Sequence, residues 1–83
     1  MPWYTYILIC NDRSYYIGIT NDLDRRVKLH NSRKGSKYLH SKLPVRLAYS
    51  EEYLNKSEAR IREIQLKGWT RIKKEKLIKG AFK

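Results

Sequence analysis

The most restrictive feature of the sequence is a pair of strand-forming runs close together near the N-terminus. Residues 4–10 read YTYILIC and residues 14–20 read SYYIGIT, and both runs are rich in aromatic and β-branched side chains. Only NDR, at 11–13, separates them, which leaves room for a tight turn. The spacing therefore predicts an antiparallel β-hairpin. Gly18 interrupts the second run, and a glycine inside a strand marks a bulge or a close approach by a backbone or a ligand.

Beyond the hairpin, the pattern predicts a helix, a loop and a third strand. Asn21 or Asp22 can cap a helix that continues to about Asn31. Residues 32–43 are basic and contain glycine and serine, which favours a surface loop with a short helical turn. Residues 44–53 alternate apolar and polar side chains, as a strand with one buried face does. The apolar members of this alternation are Val45, Leu47 and Tyr49.

Two more helices complete the pattern. Asn55, with a glutamate three positions later, has the spacing of a capping box and opens a helix to about Lys67. Thr70 can cap a last helix to about Lys79. The order ββαβαα predicts an α+β fold, with a small three-stranded antiparallel sheet flanked by helices. Because 83 residues allow one core of ordinary size, we expect a single domain over 1–83.

The charge of the chain points to a polyanionic partner. Nineteen Lys and Arg residues stand against eight Asp and Glu residues, which gives a formal net charge of +11. Nucleic acid is the first candidate for such a partner, and an acidic membrane surface is the second. Solubility alone remains the ordinary alternative. The basic residues are spread among apolar positions, so a folded surface is expected to carry them.

Cysteine usage and hydropathy indicate which cross-links and which cellular location to expect. Cys10 is the only cysteine, which excludes an internal disulfide and a zinc site of several cysteines. Its position in an apolar run predicts a small buried side chain. The sequence contains no apolar stretch of about 18 residues, as a membrane span needs, and its start does not resemble a signal peptide. We therefore expect a cytoplasmic protein that does not enter the membrane.

One acidic residue has unusual neighbours for a charged side chain. Glu63 lies within the predicted helix, with Ala59 one turn before it and Leu66 three positions after it. A carboxylate that leans on apolar surface is a candidate metal ligand. A surface ion pair is the commoner explanation. The possible partners are Arg60, Arg62 and Lys67.

Two basic residues lie at the edge of the buried face of the first predicted helix. At 100° per residue, Arg26 and His30 lie one turn apart, beside the apolar pair Leu23 and Val27. The pair could face a ligand. A basic helix flank with a histidine at the rim of the core is the commoner explanation.

Taken in order, the motifs resemble those of the GIY-YIG nuclease superfamily. The resemblance is carried by YTY at 4–6, YIG at 16–18, DLDRR at 22–26, His30, and SEARIREIQLK at 57–67. It covers about Trp3 to Lys67 and is strongest to small stand-alone bacterial members, which are also similar to the catalytic part of a eukaryotic structure-specific endonuclease subunit. Tyr4 and Thr5 stand where the family usually has Gly and Ile.

The resemblance implies a role for each matching residue. Glu63 would hold one Mg²⁺ or Mn²⁺ ion, and Arg26 would bind the phosphate to be cut. Tyr6 or Tyr16 would activate the attacking water, either with the help of adjacent positive charge or by passing its proton to His30. Four further residues are expected to contact the nucleic acid: Gly18, Lys34, Lys37 and Arg46.

The implied function is a metal-dependent endonuclease. We expect DNA rather than RNA as its substrate, and recognition of structure rather than of sequence, since no base-reading module is attached. A nucleic-acid-binding module with weak or no catalysis, which acts with a protein partner that supplies specificity, is the alternative. A small basic ribosome-associated protein is the third class.

Overall fold

The computed structural model describes residues 1–80 and has the predicted order of elements. The α+β prediction is confirmed, with three antiparallel strands and three α-helices. A short 3₁₀ helix lies in the segment expected to be a loop with a helical turn. The elements are β1 (Trp3–Ile9), β2 (Tyr15–Thr20), α1 (Leu23–Asn31), the 3₁₀ helix (Lys37–Lys42), β3 (Arg46–Tyr53), α2 (Lys56–Lys67) and α3 (Arg71–Ile78).

The predicted hairpin is formed by β1 and β2, which pair so that Tyr6 lies opposite Gly18. In the turn, the Cys10 amide donates to the Ser14 carbonyl at 2.9 Å, and the Ser14 amide donates to the Asp12 carboxylate at 2.9 Å. These local bonds satisfy the backbone where the chain reverses. The pairing of β1 and β2 runs through Gly18 without a shift in register, so this glycine does not mark a bulge.

Strand β1 lies in the middle of the sheet and is covered on both faces. The strand order is β2-β1-β3. On one face, Tyr6 and Leu8 pack with residues of α1 and of the 3₁₀ helix, and the buried Cys10 joins them as predicted. On the other face, Ile7 packs against Leu66 of α2 and Leu77 of α3. Successive residues of one strand therefore belong to two different clusters, because side chains alternate across a sheet.

The prediction that β3 presents a single alternating apolar face is wrong. A register shift between Ile7 and Leu8 places Tyr49 opposite Ile7 but Leu47 opposite Leu8. One extra residue, Ala48, is accommodated there, and a bulge of this kind exchanges the two faces of a strand. Tyr49 accordingly packs on the α2 side, whereas Leu47 is exposed.

Side chains fix the start of each helix and one loop. Asp22, Asn55 and Thr70 accept hydrogen bonds from backbone amides in the first turns of α1, α2 and α3, as predicted. Asn31, the last residue of α1, donates to the Val45 carbonyl at 2.9 Å and accepts from the Val45 amide at 2.8 Å. The side-chain amide of Asn31 thus satisfies the Val45 backbone, as a neighbouring strand would do in a sheet. None of the helices within residues 1–80 has the length and apolar character that crossing a bilayer requires.

Candidate active site

A buried phenol and a buried imidazole form the centre of the candidate site. Tyr6 of β1 and His30 of α1 are each 3% exposed, and the Tyr6 hydroxyl lies 3.2 Å from Nε2 of His30. The ring of Tyr16, from β2, meets the His30 ring edge-on, with 5.5 Å between centroids. The hairpin and α1 therefore bring together three of the residues that the sequence selected.

The charges of Arg26 and Glu63 both reach the Tyr6 phenol. Burial raises the pKa of Tyr6 well above its usual value, Tyr16 and Glu63 raise it further, and Arg26 lowers it. Burial, and to a lesser extent Arg26, lowers the pKa of His30. A protonated phenol therefore faces a neutral imidazole near pH 7, which allows the Tyr6 hydroxyl to donate to Nε2.

Glu63 is buried and has two cationic partners. The residue is 8% exposed, and its carboxylate lies 3.5 Å from Nε of Arg60 and 3.3 Å from Nζ of Lys67. The ion pair expected as the commoner explanation is thus present with two of the three possible partners. Both cations are well exposed and sit on flexible stems, so they can move away without disturbing the core.

The oxygen donors at the candidate site fit only one mode of metal binding, in which a single carboxylate holds the ion. Within residues 1–80, no group of three or more His, Cys, Asp or Glu side chains lies together where it could hold a metal ion. Mg²⁺ is commonly bound by one or two carboxylates, with water and substrate phosphate oxygens completing its shell. A single hard oxygen donor such as Glu63 fits that mode, once Arg60 and Lys67 have released the carboxylate.

Gly18 has a different role from the expected approach of substrate to a bare strand. A Cβ atom at this position would lie 2.6 Å from the Tyr6 hydroxyl oxygen and 2.8 Å from Cζ. The space in front of Gly18 is thus filled by the Tyr6 ring, and the glycine is buried. The register explains this contact, since it places Tyr6 directly opposite Gly18.

The three predicted phosphate contacts are exposed and lie on separate elements of the fold. Lys34 and Lys37 belong to the segment that joins α1 to β3, on the side of the sheet that carries His30. Arg46 begins β3, which is the edge of the sheet opposite the strand that carries Tyr16. The sequence could not reveal this separation, since it depends on the strand order.

Two residues near the site were missed by the sequence reasoning. Gly35 lies against His30 so closely that a Cβ atom there would overlap Nδ1 of the ring. Nδ1 itself is buried and has no hydrogen-bond partner within residues 1–80. Tyr38, in the 3₁₀ helix, stacks on Tyr16. A lone aromatic residue in a basic segment was the only sequence signal for Tyr38.

A second polar cluster, also missed, lies on the α2 side of the sheet. The Glu51 carboxylate accepts bonds from the Tyr49 and Tyr53 hydroxyls at 2.5 and 2.6 Å, and from the Arg62 guanidinium at 2.8 and 3.1 Å. Burial raises the pKa of Glu51, but these donors outweigh it and hold the pKa below its usual value. Every carboxylate oxygen already has partners, so this cluster joins β3 to α2 as a structural element.

The sequence and the fold both match known proteins. The family model described as the GIY-YIG catalytic domain matches residues 2–76. A UPF0213 protein of Streptococcus pneumoniae is 47% identical over 75 residues, which cover 90% of this chain and 76% of that protein. A UPF0213 protein of Bacillus velezensis is 48% identical over 73 residues, which cover 88% and 74%. The solution NMR structure of a UPF0213 protein from Bacillus halodurans is 44% identical, with a TM-score of 0.61 over 95% of this chain and 84% of that one.

Proposed function

The chain belongs to the GIY-YIG family, and on that premise we propose that it is an endonuclease that hydrolyses phosphodiester bonds in DNA. GIY-YIG nucleases act on nucleic acids, and the net charge of +11 suits a polyanionic substrate. We also propose Mg²⁺ or Mn²⁺ as the cofactor, and recognition of DNA structure rather than of base sequence.

The observation that carries the proposal is the buried Tyr6–His30 hydrogen bond. It joins a proton donor to a neutral proton acceptor beside Tyr16, and the charges of Arg26 and Glu63 both act on the same phenol. Phosphodiester hydrolysis needs a proton acceptor for the attacking water and positive charge on the phosphate oxygens. Five residues from β1, β2, α1 and α2 supply these groups.

We assign different roles to Tyr6 and Tyr16 because the two side chains are buried to different extents. Tyr6 is 3% exposed and has a raised pKa, so it remains protonated and positions His30. Tyr16 is only half-buried, so its hydroxyl can meet the attacking water. His30 is neutral because its pKa is lowered, and its Nε2 is already bonded to the Tyr6 hydroxyl. Nε2 can therefore receive the proton of the Tyr6 hydroxyl while Tyr6 takes up the proton that the water releases, which leaves Tyr6 protonated.

Arg26 and Glu63 complete the proposed arrangement. The half-buried guanidinium of Arg26 can bind two phosphate oxygens in a fixed geometry, which a lysine cannot. Glu63 would hold the divalent cation, which, when bound, neutralises charge on the phosphate and on the departing oxygen. Arg60 and Lys67 must release Glu63 first, so these side chains compete with the cation for the same carboxylate.

Cleavage assays with matched variants test the proposal. Purified protein is incubated with Mg²⁺ or Mn²⁺ and a panel of single-stranded, branched, nicked and duplex DNA, with RNA counterparts. Glu63→Gln and Arg26→Lys should abolish cleavage and leave binding in place. Their controls are Glu58→Gln on the same helix and Arg25→Lys beside Arg26, both exposed, and these should cleave like the wild type.

The alternative is a binding module of the same fold that needs a protein partner. It predicts that the wild type binds the panel but cleaves none of it with either metal ion. That outcome, or unchanged cleavage by Glu63→Gln, would overturn the proposed enzyme.

A further inference from the structure

An exposed aromatic ring lies directly beside the candidate site. Tyr38 is 61% exposed, yet its ring stacks on Tyr16, with 6.3 Å between centroids and 28° between planes. At this distance the two rings are offset, so much of the Tyr38 ring remains open to solvent. Tyr38 is thus the outermost of a row of rings that continues through Tyr16 and His30 to Tyr6.

The segment around Tyr38 contains several lysines, and one of them lies close to the ring. Nζ of Lys42 lies 5.0 Å from the centre of the Tyr38 ring. Lys34 and Lys37 are exposed in the same segment. No acidic residue occurs anywhere between Asp24 and Glu51. Lys42 is itself paired with the Asp12 carboxylate of the hairpin turn at 2.9 Å. The cations that this segment offers to an anionic ligand are therefore Lys34 and Lys37.

Packing in the core does not explain an aromatic side chain at Tyr38, because the adjacent Leu39 makes the contacts with the core. Leu39, the next residue, is fully buried in the cluster on this face of the sheet and anchors the 3₁₀ helix. An open aromatic face combined with lysines matches a nucleotide, whose base stacks and whose phosphate pairs with a cation. In a double helix the base faces are covered by neighbouring bases, so only an unpaired base can use such a ring.

We propose that Tyr38 is a stacking platform for one unpaired nucleobase beside the phosphate that is cut, so that the site selects nucleic acid with a nucleotide outside the double helix. The position of the cut rests on the proposed endonuclease function. The stacking itself requires no cleavage, and it can be measured without metal ions.

The experiment separates contacts to bases from contacts to phosphates. Binding is measured by fluorescence anisotropy in EDTA with three DNA ligands of equal length: a single strand, the same strand with abasic sites throughout, and a duplex. The variants are Tyr38→Ala, Tyr38→Phe, Tyr38→Leu and, as a control on α3, the similarly exposed Ile72→Ala.

The proposal predicts that Tyr38→Ala loses affinity for only one of the three ligands, the single strand that carries bases. Tyr38→Ala should weaken binding of the single strand by roughly five- to 100-fold, which is the range for removal of one stacked base contact. Binding of the abasic strand and of the duplex should change by less than about twofold, since the phosphate contacts remain. Tyr38→Phe should bind like the wild type, because it keeps the ring, and Ile72→Ala should also be unchanged.

Other outcomes overturn the proposal. An equal loss on the single strand and the abasic strand would mean that the ring acts only through the backbone of the ligand, and no loss would mean that it does not contact the ligand. If Tyr38→Ala does not fold, Tyr38→Leu decides, because it keeps apolar bulk against Tyr16 but has no aromatic face. Binding like the wild type by Tyr38→Leu would refute stacking, whereas a loss on the single strand alone would support it.

The two proposals fail in different ways. A wild type that never cleaves but shows base-dependent binding through Tyr38 overturns the endonuclease and supports the stacking platform. If the wild type cleaves but Tyr38→Ala binds the single strand as tightly as the wild type, the endonuclease is supported and the stacking platform is overturned.

Discussion

Replacement of Gly18 by alanine should displace Tyr6 and break its bond to His30. The new Cβ would lie 2.6 Å from the phenol oxygen and 2.8 Å from Cζ, whereas nonbonded heavy atoms settle at about 3.5 Å. The ring must therefore retreat by about 1 Å. That movement would lengthen the 3.2 Å contact with Nε2 of His30 beyond hydrogen-bonding distance.

The cost can be estimated from these two effects. Overpacking of a buried site costs about 1–3 kcal/mol, and the lost hydrogen bond costs about 1 kcal/mol. Each kcal/mol lowers the Tm of a domain of this size by about 4–8 °C. We therefore expect Gly18→Ala to lower Tm by about 8–32 °C and to abolish cleavage.

Thermal unfolding in three backgrounds checks the reasoning. In Tyr6→Phe the nearest oxygen is gone, so the added cost of Gly18→Ala should shrink; in Tyr6→Leu the ring is gone, and the cost should fall to about 0.5 kcal/mol or less. Gly68→Ala is the control, because its Cβ would meet only the Gln65 carbonyl at 3.4 Å and its φ of −84° suits alanine. An equal cost of Gly18→Ala in all three backgrounds would refute the assignment of the clash to Tyr6.

Three further predictions concern stability and pH. Because the pKa of Glu51 lies below its usual value, its contribution to stability is complete above about pH 4.3 and is lost as the pH falls through the lower folded-state pKa. In urea titrations, Glu51→Gln should therefore show a smaller fall in unfolding free energy on acidification than the wild type. Arg62→Met should lower the unfolding free energy by about 2 kcal/mol near neutral pH. Because the pKa of His30 is lowered, the inflection of the wild-type pH–rate profile should lie below about pH 6.5, and an inflection above that value would contradict a neutral His30 as proton acceptor. Asn31→Ala removes both bonds to the Val45 backbone and should cost about 1–2 kcal/mol in the same urea titration, while Asn31→Asp keeps only the acceptor; a change below about 0.5 kcal/mol for Asn31→Ala would count against the bridge.

The sequence predicted the features that depend on neighbours along the chain. The hairpin followed from two strand-forming runs and a short turn, and Asp22, Asn55 and Thr70 identified the helix starts because a cap bonds to amides two or three residues away. Helical spacing placed His30 at the edge of the buried face of α1, whereas the structure shows it as the buried residue of this helix, because Tyr6 and Tyr16 pack against its ring.

The remaining features depend on contacts that are distant in sequence. The register shift that exposes Leu47 is set by pairing with β1, and the bond from Asn31 to Val45 crosses 14 positions. The stacking of Tyr38 on Tyr16 joins the 3₁₀ helix to β2. No local pattern encodes such contacts, so spacing could propose the members of the site but not their neighbours.

Strand β1 contributes alternate residues to the clusters on opposite faces of the sheet, which links the geometry of the candidate site to strand alignment. A slip of one position against β2 would turn the Tyr6 phenol toward α2 and put an isoleucine beside His30, since every side chain would change faces. The cores on both sides would then be mismatched at once. Misaligned forms of the sheet are thereby destabilised on both faces, and the residues of the candidate site meet only in the native register.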